Sequence, residues 1–143
     1  MCSMKNEDKK MVFLQKIFDK RVKIINFIYK YELLGEKLNA NELFEEEELL
    51  KNEIVILSQI EGKYELFKKL IVSITKDEWE WERLQPLVRA ILIYGIYEMF
   101  ITEHKVVINE MINIAKIYIP GSEYKLINKV LDIVSKLDIW PKK

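Results

Sequence analysis

The residues of this 143-residue chain that could do chemistry are cations and aromatics rather than catalytic pairs. Lys20, Arg21 and Lys23 fall within four positions, and Tyr29 and Tyr31 follow along the same stretch. Lysine and arginine neutralise phosphates, and tyrosine stacks on an unpaired base, so this mixture can hold single-stranded RNA. Mixed basic and aromatic surfaces also occur on helices that bind nothing, and on residue type alone both readings stand.

Catalytic sets are missing. His104, the single histidine, has no Cys, Asp or second His at ligand spacing and reads as a surface or capping residue in a short link. Cys2, the single cysteine, lacks a partner for a disulfide or a metal. The sequence contains no Gly-rich phosphate loop, no G-x-S-x-G elbow and no H-E-x-x-H pair. Glu45–Glu48 and Asp77-Glu78 read as helix-terminus and solvated-face charges. No enzymatic activity, cofactor or metal is therefore expected.

Formal net charge is zero, which argues against a general coat for DNA. The charges are nevertheless segregated. Seven cations face three acids between Lys5 and Lys23, three face ten between Glu32 and Glu65, and seven face four from Lys105 to Lys143. Such segregation can place a basic strip on a neutral molecule, though solvated faces with accidental clustering would look the same.

The elements that must position these charges are helical. Four glycines and three prolines, with abundant Ile, Leu, Lys and Glu, favour an all-α class. Residues 1–8 read as a flexible arm and 9–143 as one helical domain. A first helix is expected from Lys9 to Leu34, stopped by Gly35, with Phe13, Leu14, Ile17, Phe18, Ile24, Ile25, Ile28 and Tyr31 inward. Asp19-Lys20-Arg21 interrupts that rhythm and could break the helix in two. Asn39 with Glu42 suggests a capping box for a second helix. A third is expected from about Glu47 to Thr75, with Leu50 on its inner face and Gly62 inside it.

Pro86 suits the first turn of a fourth helix, whose string PLVRAILIYGIYEM is apolar on most sides and belongs at the centre of a bundle. A fifth helix is expected over Val106 to Tyr118. Pro120-Gly121 marks a turn, and Ser122 is expected to cap a sixth helix with Ile127, Val130, Leu131 and Val134 as its seam. Leu126 lies one residue off that seam and should be partly exposed. Glu98 must pair or hydrogen-bond if it is interior. The most apolar window, Ala90 to Tyr97, is well short of the roughly 18–20 residues that span a bilayer. With no apolar leader at the start, a soluble, cytoplasmic protein is expected.

At this point residues from about Arg21 to Ser135 resemble the NusB family, the bacterial transcription antitermination factors and related RNA-binding domains. The family pattern K-V-x-I-N-E-x-x-x-x-A-K is similar to Lys105, Val106, Ile108, Asn109, Glu110, Ala115 and Lys116. The following F-V-N-G-V-L-D resembles Leu126, Ile127, Asn128, Val130, Leu131 and Asp132, with Lys129 in place of the glycine. Upstream, R-L-x-x-V-x-R-A-I-L-R-x-A-x-Y-E-L looks like Arg83, Leu84, Arg89 to Leu92, Tyr97, Glu98 and Met99, and Ile28-Tyr29 matches the A-L-Y of the first helix.

The resemblance implies two packed three-helix bundles and a basic first helix that helps bind boxA-type RNA from ribosomal RNA leaders, together with the ribosomal protein NusE. It implies RNA contacts at Lys20, Arg21, Lys23 and Tyr29, with Arg21 exposed. It implies partner contacts at Val88, Ser122 and Leu126. The family's arginine cluster is thinned here, with Ile17 and Phe18 where arginines are usual, so Lys125, Lys129 and Lys116 are substitute phosphate contacts. The alternative is a fold-retaining interaction module that has lost boxA recognition and uses Leu126 in a homodimer or with another protein.

Overall fold

The computed structural model describes residues 6–46 and 49–141. Six helices follow in order: α1 (Asn6–Leu34), α2 (Ala40–Glu46), α3 (Lys51–Thr75), α4 (Pro86–Met99), α5 (His104–Tyr118) and α6 (Glu123–Ser135), with a 3-10 turn at Trp81–Arg83 before α4. No strand occurs among the described residues, so the all-α expectation holds.

Helix α4 is the hub. It packs on α1, α3, α5 and α6, while α2 rests on α3. Every residue from Ala90 to Met99 is buried, as the apolar character of the string requires. Pro86 occupies the first turn, where no backbone N–H is missed. At Gly95 a Cβ would lie 3.1 Å from Met111 Cγ and 3.2 Å from Leu131 Cδ1. The missing side chain is what lets α5 and α6 close onto α4.

Most stops and starts fall where the sequence puts them. Gly35 ends α1 in the left-handed region, at φ 69°. The Glu42 N–H donates to Asn39 Oδ1 at 3.1 Å, capping α2. Glu53 Oε1 accepts from the Leu50 N–H at 2.8 Å at the head of α3. Gly62 does not interrupt α3. His104 Nε2 donates to the Met99 carbonyl at 3.1 Å, and its ring meets Trp140 edge-on at 4.4 Å, joining the end of α4 to the start of α5.

Several expectations need correction. Helix α1 begins at Asn6 rather than Lys9, so residues 6–8 of the expected arm are helical; residues 1–5 lie outside the described residues. It also runs unbroken through Asp19-Lys20-Arg21. Helix α3 starts at Lys51, and Leu50 is exposed at its cap; Glu47 and Glu48 lie outside the described residues. Ser122 holds the N-cap position of α6, but its hydroxyl makes no capping bond.

The largest correction concerns α1. Phe13 and Leu14, expected inward, are 62% and 48% exposed. The reason is length. At about 1.5 Å per residue α1 reaches about 43 Å, whereas α4, its main neighbour, reaches about 21 Å. The buried positions of α1 begin only at Ile24, and its first turns overhang the bundle.

Candidate nucleic-acid interface

The residues expected to touch RNA fall into three different environments. Arg21 is turned inward, its side chain 12% exposed. Arg21 Nε donates to Glu98 Oε1 at 2.7 Å, and its Nη1 lies 3.7 Å from Glu110 Oε2. Tyr94 Oη donates to the same Glu98 oxygen at 2.8 Å. One guanidinium therefore ties α1 to α4 and α5, and Glu98 has the partner that burial demands. Desolvation is the largest influence on Arg21 and pulls its pKa down. The Glu98 hydrogen bond and charge, aided by Tyr94 and Glu110, outweigh it and leave the pKa raised. The Tyr94 hydroxyl is pushed well above its ordinary value, by burial first and by Glu98 second. The expectation of an exposed Arg21 is thus overturned.

Lys23 is half-exposed, but its Nζ donates to Glu53 Oε1 at 2.9 Å, the oxygen that also caps α3. Lys20 and Lys125 are exposed on α1 and α6, two helices that both pack on α4. Neither has an ion-pair partner among the described residues. Lys129 is paired with Glu78, and the Lys116 ammonium sits 4.8 Å from the centre of the Tyr124 ring.

Tyr29 is half-buried against the core. It follows Lys20 by nine positions, which at about 100° per residue places the two on opposite sides of α1. Lys20 and Tyr29 therefore do not share one patch. Tyr29 belongs to the helix line of Met11, Phe18 and Val22, which runs along the side facing α5. There a groove of about 600 Å³ opens between Met11, Leu14 and Phe18 of α1 and Asn113, Lys116 and Ile117 of α5.

Of the expected partner contacts, Ser122 is exposed and Leu126 is half-buried, as its position off the seam requires. Val88 is not available. It is 0% exposed inside α4, so its side chain can act on a partner only through the packing it supports.

A second charged cluster escaped the sequence reading. Arg89 Nε lies 3.0 Å from Glu32 Oε2, and Arg89 Nη2 donates to the Glu32 carbonyl at 3.2 Å. The Tyr64 hydroxyl donates to Glu32 as well, and burial followed by this bond raises its pKa well above the ordinary value. The arrangement clamps the end of α1 to α3 and α4 and, with Lys68 and Trp81, lines a cavity of about 340 Å³. Its signal was the single arginine in a helix whose only other charge is Glu98.

The helix order, the inward Glu98 and the two C-terminal strings now stand together with a direct comparison: residues 15–136 match the NusB family. The chain belongs to the NusB family. Two relatives named transcription antitermination protein NusB, from Helicobacter pylori (strain Shi470) and Helicobacter acinonychis (strain Sheeba), are similar to it. Each is 28% identical over 120 residues, covering 79% of this chain and 87% of the relative. A third, from Rhodospirillum rubrum, is 40% identical over 62 residues, 41% of this chain and 34% of its own length. NusB membership agrees with the absence of a catalytic set in the sequence: the family is non-enzymatic. No helix among the described residues is long and apolar enough to cross a membrane.

Proposed function

We propose that this chain is a transcription antitermination factor that binds boxA-type RNA together with the ribosomal protein NusE. The observation that carries this reading is the NusB match over residues 15–136, which includes both C-terminal strings. Relatives named for antitermination, each matched over most of its length, support it. Exposed Lys20 and Lys125 supply phosphate contacts, and exposed Ser122 with half-buried Leu126 offers a polar and apolar edge for a protein partner. Arg21 contributes by fixing α1 rather than by touching phosphate.

The test is a titration of the protein, with and without NusE, against a boxA-like RNA at about 50 and about 200 mM salt, because phosphate contacts weaken steeply over that range. Binding in the micromolar range or tighter that strengthens when NusE is present is the expected result. No binding of either partner at tens of micromolar removes the reading.

A further inference from the structure

Helix α1 carries a stripe that the family reading uses only at its inner end, Lys20. Lys9, Phe13, Lys16 and Lys20 recur at i, i+4, i+7 and i+11, so they lie along one line of the helix, neighbours about 5–6 Å apart. All four are exposed, Phe13 at 62%. None of the three lysines has an ion-pair partner among the described residues. Lys9 and Phe13 also precede residue 15, where the family match begins.

The same line continues into the body of the protein as Phe27 and Tyr31, which are half-buried and buried. Where the bundle ends, the line turns from apolar to cationic, as a solvated surface would, yet Phe13 remains in its middle. An aromatic ring held open to water between three unpaired ammonium groups serves no packing role.

The acids of the overhang lie elsewhere. Glu7 falls on the line of Met11, Leu14 and Phe18. Asp8 and Asp19 fall on that of Gln15, whose Nε2 donates to Asp19 Oδ1 at 2.9 Å. The stripe is therefore cationic without interruption over about 16 Å.

We propose that the Lys9–Phe13–Lys16–Lys20 stripe binds a single strand of RNA, with Phe13 stacking on an unpaired base and the lysines contacting phosphates on either side. Three free cations around the ring favour a polyanion over a second copy of the chain, whose stripe would bring three more positive charges. Stacking requires an unpaired base, so the ligand is single-stranded rather than duplex. The site lies on the side of α1 opposite Tyr29 and extends the contact at Lys20 outward to Lys9 and Phe13, ahead of the family-matched residues. It rests on the reading of this chain as an RNA binder.

The experiment uses the full chain, fluorescence anisotropy, and a labelled single-stranded RNA of about 12 nucleotides containing a boxA-like element, with a duplex of the same length beside it. Phe13→Ala is expected to weaken single-strand binding about fivefold or more, with Phe13→Trp restoring it. The triple change Lys9→Gln, Lys16→Gln and Lys20→Gln should lower the slope of log affinity against log salt by about 2, as losing three phosphate contacts on a single strand requires. Because these side chains are exposed, circular dichroism of all variants should match the parent.

If the parent binds and the variants bind equally well with an unchanged salt slope, the stripe is overturned while the RNA role stands. If the parent binds no RNA at all, the proposed function falls and takes the stripe with it. If sedimentation shows a dimer that Phe13→Ala dissolves, with RNA affinity untouched, a second copy is the occupant and the inference is wrong.

Discussion

From Arg21 onward α1 is fixed to the rest of the bundle. Arg21 reaches Glu98 and Glu110, Lys23 reaches Glu53, and Ile24, Ile25, Ile28 and Tyr31 are buried. From Asn6 to Lys20 the same helix buries only parts of Ile17 and Phe18, and Met11, Val12, Phe13 and Leu14 stand in water. The two halves share one unbroken helix, yet a cation in one half is a structural bolt and a cation in the other is free for a ligand. What separates them is the reach of the neighbouring helices. An arginine next to a lysine in sequence can therefore have the opposite role.

The strongest way to break this contrast is at its border. Arg21→Ala leaves Glu98 buried without its cation and is expected to cost about 3–5 kcal/mol in urea unfolding. The double change Arg21→Met with Glu98→Leu should recover most of that loss, because it removes the charge as well as the partner. If Arg21→Ala unfolds like the parent, the bolt is not one.

A pH titration probes the same cluster. Burial and Glu98 hold the Tyr94 hydroxyl protonated in the folded state well above its ordinary pKa. Its contribution is whole below the unfolded value of about 10 and is lost as pH climbs beyond it, since only the unfolded chain then releases the proton. Stability should fall above pH 10 by about 1.4 kcal/mol per pH unit on account of this group. Tyr94→Phe should make that decline shallower; an identical pH profile would count against the geometry.

Lys23→Gln sharpens the comparison at an intermediate point. The lysine is half-exposed, and Glu53 keeps the Leu50 N–H, so the expected loss is about 1 kcal/mol or less by chemical denaturation. Smallest of all, Phe13→Ala should change folding stability by no more than about 0.5 kcal/mol, as for an exposed side chain with no cover. A large loss there would mean the overhang is covered by contacts of its own.

Much of the fold was legible because its signals are local. Pro86, Gly35, the Asn39 cap and the unbroken apolar run of α4 each act within a turn of where they stand in the chain. The need of Glu98 for a partner was legible too, from the cost of burying a carboxylate. The identity of that partner was not, since Arg21 lies 77 positions away and only the crossing of α1 over α4 joins them. Periodicity placed Phe13 and Leu14 on the face that later becomes buried, but it carries no information on where a neighbouring helix ends. Val88 illustrates the converse: a position expected at a partner surface can be wholly interior.

The border at Arg21 also gives the longest helix a natural tearing line. Ahead of it stand Lys9, Lys10, Lys16 and Lys20, each a cut site for trypsin on backbone held by little more than its own helical bonds. Behind it, cutting within the helices waits for the bundle to open, and early cuts fall only in exposed connections such as those at Lys37 and Arg83. Brief digestion should therefore nibble this helix from its front and halt at that line.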